Sequence, residues 1–92
     1  MALHTLNAAP GTAAWADCLH TVASGDALVL MGDGTYGALP GDDLEALRAC
    51  GATLYILARD AEARGVEADL DALDMPGLVV LSEQHPQQVA WY

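Results

Sequence analysis

The sequence predicts an α/β fold built on a central, largely parallel sheet, and three observations carry that prediction. ALVLM (27–31) and TLYIL (53–57) are continuous apolar runs of strand length. They lack the alternation of a sheet with one wet face, so they read as strands buried on both faces. Segments with helix signals lie between the strand-like runs, and strands alternating with helices give layered α/β folds. No internal repeat, linker or composition break divides the 92 residues, so residues 1–92 read as one domain.

The elements follow in order. LHTL (3–6) is a short first strand. Gly11 and Thr12 open a helix running to about Ser24, with Gly25 as its stop. ALVLM is the second strand, and GDGTYG (32–37) is turn material around Tyr36. Asp42 followed by Glu45 has the form of a capping box, and Gly51 ends that helix. TLYIL is the third strand, followed by a brief acidic helix over 59–64 that Gly65 closes. The last third is open on pattern alone. GLVVLS (77–82) has strand propensity, but Pro76 fits the first turn of a helix capped by Asp74, which makes 76–85 helical and LDALD (70–74) the preceding strand.

Composition narrows the function. Thirteen acids against three arginines and no lysine give a formal charge of −10. Phosphate backbones are held by lysine and arginine, and Arg48, Arg59 and Arg64 are few and scattered. The chain does not hold nucleic acid alone. If it serves RNA chemistry, a more basic partner does the holding. With 53% hydrophobic and 17% charged residues, it is also rather apolar for a small monomer. Heavy use of alanine explains part of this, and apolar surface covered by a partner chain explains more. No apolar run approaches the roughly 20 residues of a membrane span, and no basic, apolar leader opens the chain. The expectation is a cytoplasmic protein whose two cysteines stay reduced. Cys18 and Cys50 lack CxxC spacing and the histidines are dispersed, so no metal or other cofactor is expected.

Four blocks then bring a family into view: LHTLN (3–7), GDALVLMGDGTYGAL (25–39), LYILARDAEARG (54–65) and the closing AWY (90–92). Together, in this order, they resemble the DsrH/TusB family, small subunits of intracellular sulfur-relay complexes. AAPG, where the family often has Ser-Pro after its opening block, is a local departure in the first loop. The resemblance implies a small DsrE-like three-layer fold, a helix over 77–85 and a terminal strand near Val89 to Trp91. It also implies a hetero-oligomer with two related DsrE-like subunits, exchange of sulfur with other carrier proteins, and no membrane. The activity implied is persulfide relay towards 2-thiolation of the tRNA wobble uridine, with this chain as an accessory subunit. The alternative, also within the resemblance, is a DsrH-type carrier of sulfur oxidation with Cys18 as persulfide acceptor. A third reading takes the likeness as one of fold alone and expects a monomeric binding protein.

Cys18, in WADCLH, is the candidate catalytic residue. Persulfide transfer needs a cysteine, because a thiolate attacks and the product is an S–S bond open to the next thiol. Members of the DsrH type often carry a cysteine in this first helix, while others route sulfur through a sister subunit. On the helix, Trp15, Leu19 and Val22 form the apolar stripe, and Cys18 lies about 50 to 60 degrees from its centre at 100 degrees per residue. His20 points elsewhere, Asp17 opposes a thiolate, and Cys18 is not at the helix N-terminus. Nothing local activates the thiol, so the competing reading is a small apolar packing residue. Cys50, three residues after Leu47, reads as core.

Elsewhere, Asp33 and Tyr36 follow a buried parallel strand, where α/β sheets place binding groups, though a plain turn accounts for them. His4 and His85 read as structural or solvated. Trp91 and Tyr92 read as packing or interface aromatics.

Overall fold

The computed structural model describes residues 1–92. Five strands, β1 (Ala2–Leu6), β2 (Ala27–Leu30), β3 (Thr53–Leu57), β4 (Asp71–Leu73) and β5 (Gln87–Trp91), form one sheet in the order β4-β3-β2-β1-β5. Every neighbouring pair is parallel. Four helices join them: α1 (Ala13–Thr21), α2 (Asp42–Ala49), α3 (Ala58–Ala63) and α4 (Met75–Glu83). The three-layer α/β architecture expected from the sequence is present.

Alternation along the strands assigns the two faces. Leu6, Leu28, Leu30 and Ile56 join Trp15 and Cys18 of α1, Leu47 of α2 and Ala61 of α3 in the main core. Leu3, Ala27 and Val29 point the other way and meet Leu81 of α4. One face thus carries three helices and the other carries one. This is why β2, with all four residues buried, reads as an unbroken apolar run.

The helix ends refine the sequence reading. Thr12 caps α1 through its hydroxyl, which accepts from the Trp15 N–H. The helix stops at Thr21, short of Ser24, because Val22 turns extended; Gly25, at φ 93°, then supplies the left-handed residue of the turn into β2. Asp42 is not a cap. Gly41 holds the cap position of α2, and Asp42, Asp43 and Glu45 fill the first turn, where the helix dipole favours acids. GDGTYG is more ordered than a turn: Gly32–Ala38 forms a 3-10 helix. The open question at 77–82 resolves as helix. The Asp74 carboxylate accepts from the Gly77 N–H at 2.8 Å, and Pro76 sits in the first turn.

Two glycines in the 3-10 helix are fixed by close approach. A Cβ at Gly34 would overlap the backbone carbonyl oxygen of Leu6, and one at Gly37 would overlap the ring of Trp15. These contacts bring the loop after β2 down onto the end of β1 and the start of α1.

Candidate functional site

Cys18 is 0% exposed, deeper than its angle on the helix suggested. The apolar stripe is not its only cover. Cys18 shares the main core with Trp15, Leu28 and Leu47, and Cys50 packs against the same cluster. Burial, with a smaller contribution from Cys50, pushes its thiol up to about 12. At neutral pH the thiolate is then a fraction on the order of one in 10⁵, and the thiolate is the nucleophile. Cys50 caps the C-terminus of α2 and is half-buried. In the folded chain, Ellman's reagent is expected to titrate Cys50 first and to reach Cys18 only after denaturant is added. Two thiols reacting at equal rates without denaturant would contradict this geometry.

The carboxyl ends of the strands hold a second group of residues. The Asp60 carboxylate accepts from the Gly32 N–H at 2.8 Å. Arg64 donates through Nε to Asp33 at 3.0 Å and through Nη1 to the Asp60 carbonyl at 3.3 Å. These contacts tie α3 to the 3-10 helix. Tyr36 and Leu39 are exposed beside them. Asp33 is an exposed partner of a structural arginine, and Tyr36 makes no side-chain hydrogen bond here. No group of three or more His, Cys, Asp or Glu side chains forms a metal-holding cluster.

At the opposite end of the sheet lies a constellation whose central residue, Asp26, has no recognisable motif. Asp26 precedes β2, and its carboxylate accepts from the Ala2 N–H at 2.9 Å, the Ala23 N–H at 3.0 Å and His4 Nε2 at 2.9 Å. The two backbone donors, then His4, hold its carboxyl below the usual carboxylate range. On the far side of the imidazole, the Trp91 indole N–H donates to His4 Nδ1 at 3.1 Å. An indole nitrogen can only donate, so Nδ1 must accept, and the network assigns the hydrogen to Nε2. His4 is therefore structural, as expected. The missed signal is a lone acid in the turn before a buried strand, a place where a carboxylate meets unpaired N–H groups.

The remaining feature is a surface. Residues 75–92 carry one acid, Glu83, of the thirteen in the chain, and no arginine. Within that stretch Met75, Val79, Val80, Val89 and Tyr92 are exposed, with Val79 at 51%, Val80 at 55% and Tyr92 at 84%. A groove of about 260 Å³ opens between α4 and the end of β5, lined by Leu3, Met31, Leu78, Val79 and Tyr92 among others. It exists because α4 alone covers this face of the sheet. The chain thus sets an apolar face with a single acid against a strongly acidic remainder. That contrast is the mark of a protein-binding surface. No helix is long and apolar enough to cross a membrane.

Comparisons with known proteins agree with one another. A family model described as "DsrH like protein" matches residues 10–88. Protein TusB of Pectobacterium parmentieri is 42% identical over 94 aligned positions, covering 97% of this chain and 99% of that protein. Protein TusB of Escherichia coli K12 is 36% identical with the same coverage. Two solved structures share the fold at low identity. The solution structure of protein Tm0979 from Thermotoga maritima has a TM-score of 0.69 at 20% identity, covering 91% of this chain and 93% of that one. The crystal structure of the ychN protein from E. coli has a TM-score of 0.70 at 18% identity, covering 98% and 97%.

Proposed function

The chain belongs to the DsrH-like family, and from that premise we propose that it is a single-domain accessory subunit of a sulfur-relay complex. Full-length similarity to proteins named TusB supports a role in passing persulfide sulfur towards 2-thiolation of the tRNA wobble uridine. The complex joins this chain to two related subunits in the cytoplasm. A sister subunit supplies the working cysteine, and a more basic partner holds the tRNA.

The observation that carries the accessory role is the burial of Cys18. In a relay step, a thiolate attacks the outer sulfur of a donor persulfide; the new S–S bond forms as the donor departs as a thiolate. Both partners must touch, and a thiol with no exposed surface and a raised pKa meets neither requirement. The apolar face of α4 and β5 supports the assembly role, since the surface poorest in charge is the surface a partner can cover at least desolvation cost.

The test is the 2-thiouridine content of tRNA, by mass spectrometry of nucleosides, in a strain lacking this gene and carrying variants. Wild type and Cys18→Ala are expected to restore thiolation equally. Val80→Asp, at an exposed position that changes stability by only about 0.5 kcal/mol, is expected to lose co-purification with the sister subunits and to leave thiolation at the deletion level. Failure of a folded Cys18→Ala chain to restore it would favour the carrier reading. Intact thiolation in the deletion strain would favour sulfur oxidation.

A further inference from the structure

We propose that His4 is a pH-sensitive latch for the C-terminal strand: a proton taken up at Nδ1 releases Trp91 and frees the end of β5. Along β5, Gln87 to Ala90 are exposed and Trp91 alone is partly buried, packed against the main core. The strand pairs with β1 and nothing else. Near its start, Gln88 donates to the Ser82 carbonyl at 3.0 Å. At its C-terminal end the one side-chain hydrogen bond is indole N–H to His4 Nδ1, between rings whose centroids lie 6.2 Å apart, beside the backbone bond from Asn7 N–H to the Trp91 carbonyl. Imidazolium carries a hydrogen on both nitrogens. Once Nδ1 is protonated, two N–H donors face each other, and that side-chain bond becomes a repulsion.

The surroundings allow the proton to enter. A buried imidazolium needs a counter-charge, and the Asp26 carboxylate on Nε2 supplies one that its two backbone donors already hold ionised. No other titratable side chain lies in β1, β2 or β5. α1 packs over this end of the sheet and contributes Asp17 and His20, both exposed, and Cys18, a neutral buried thiol. The Met1 amine adjoins β1 at an exposed residue. Asp26 is thus the one charge bonded to His4, and it stays in place across the histidine range. The proton changes the Trp91 side of the ring and leaves the Asp26 side bonded. Tyr92, a wall of the groove beside α4, moves with the released strand end.

The experiment is a proton–nitrogen NMR titration of the full chain from about pH 8 to about pH 5, spanning the range in which histidines titrate. It follows the His4 ring protons and exchange of the two indole N–H groups. As His4 titrates, exchange at Trp91 is expected to rise about five- to tenfold, the loss of one hydrogen bond, with the same midpoint. The Trp15 indole N–H, which makes no bond to His4, is expected to show no such pH-linked change. Glutamine at position 4 keeps an acceptor and a donor but does not titrate, so His4→Gln is expected to abolish the pH response. Trp91 protection that is unchanged while His4 titrates overturns the latch. So does a His4 that remains neutral to pH 5, or a response that survives in His4→Gln. The wild-type titration decides the matter even where that variant does not fold.

Discussion

Replacing Gly34 by alanine is expected to cost about 3 kcal/mol of stability, the upper end of what overpacking costs in a dense interior. The added methyl would meet the Leu6 carbonyl, which is backbone at the end of β1 and already accepts the Met31 N–H at 3.0 Å. Leu6 is fully buried, so neither strand nor loop can shift without opening the junction. Gly37→Ala provides the contrast. Its methyl meets the ring of Trp15, a side chain and not backbone, and a smaller loss is expected. Urea midpoints of the two variants give the comparison. A larger loss at Gly37 would mean that the sheet end yields more readily than the tryptophan.

Asp26→Asn is expected to cost about 3 kcal/mol near neutral pH, the upper end of what hydrogen bonds to a charged group contribute. One carboxylate serves the first strand, the α1–β2 turn and His4 together, and the Asp26 carbonyl also accepts from the Thr53 N–H at 2.9 Å. An amide keeps the shape but turns one oxygen into a donor. The pH dependence has a definite sign. The folded-state pKa is depressed below the ordinary 3.8, so the unfolded chain binds the proton first on acidification. The stabilisation is complete above the ordinary carboxylate range and fades as pH falls below about 4 towards the folded-state value. Urea unfolding at pH 7 and at pH 3 should therefore show the gap between wild type and Asp26→Asn narrowing in acid. A gap of constant size would assign the loss to packing instead of charge.

The parts of this protein that were legible in the sequence are those where one physical demand dominates. ALVLM announces a strand buried on both faces because helices cover both sheet faces there. TLYIL reads the same way and is a parallel strand, but only Ile56 and Leu57 of it are buried, since β3 lies nearer the sheet edge. α4 was ambiguous because its valines favour strand locally. The Asp74 cap and Pro76 settle the segment as helix, and lying on the sparsely covered face lets Val79 and Val80 remain exposed. Cys18 looked half-turned because a helical wheel knows only its own helix. Residues from α2 close over its flank, and no periodicity in α1 encodes that. Asp26 was invisible for a related reason: Ala2 and His4 lie 24 and 22 residues away in the chain. A single acid between glycine and alanine reads as turn until the sheet brings those donors to it.

The position of β5 beside β1 also sets an order of events. Strands β1, β2 and β3 can pair successively across one intervening crossover each, whereas the Trp91–His4 contact joins residues 87 apart. Closing so long a loop is entropically costly and slow, and topologies rich in such distant pairings fold late in their last elements. A nascent chain would therefore spend time with β1 as an unpaired edge, its N–H and C=O groups open to any strand of suitable register. In a cell making several sheet proteins of the same architecture, that interval is when a wrong neighbour can pair, and crowding the edge with the correct one is an argument for making the subunits together.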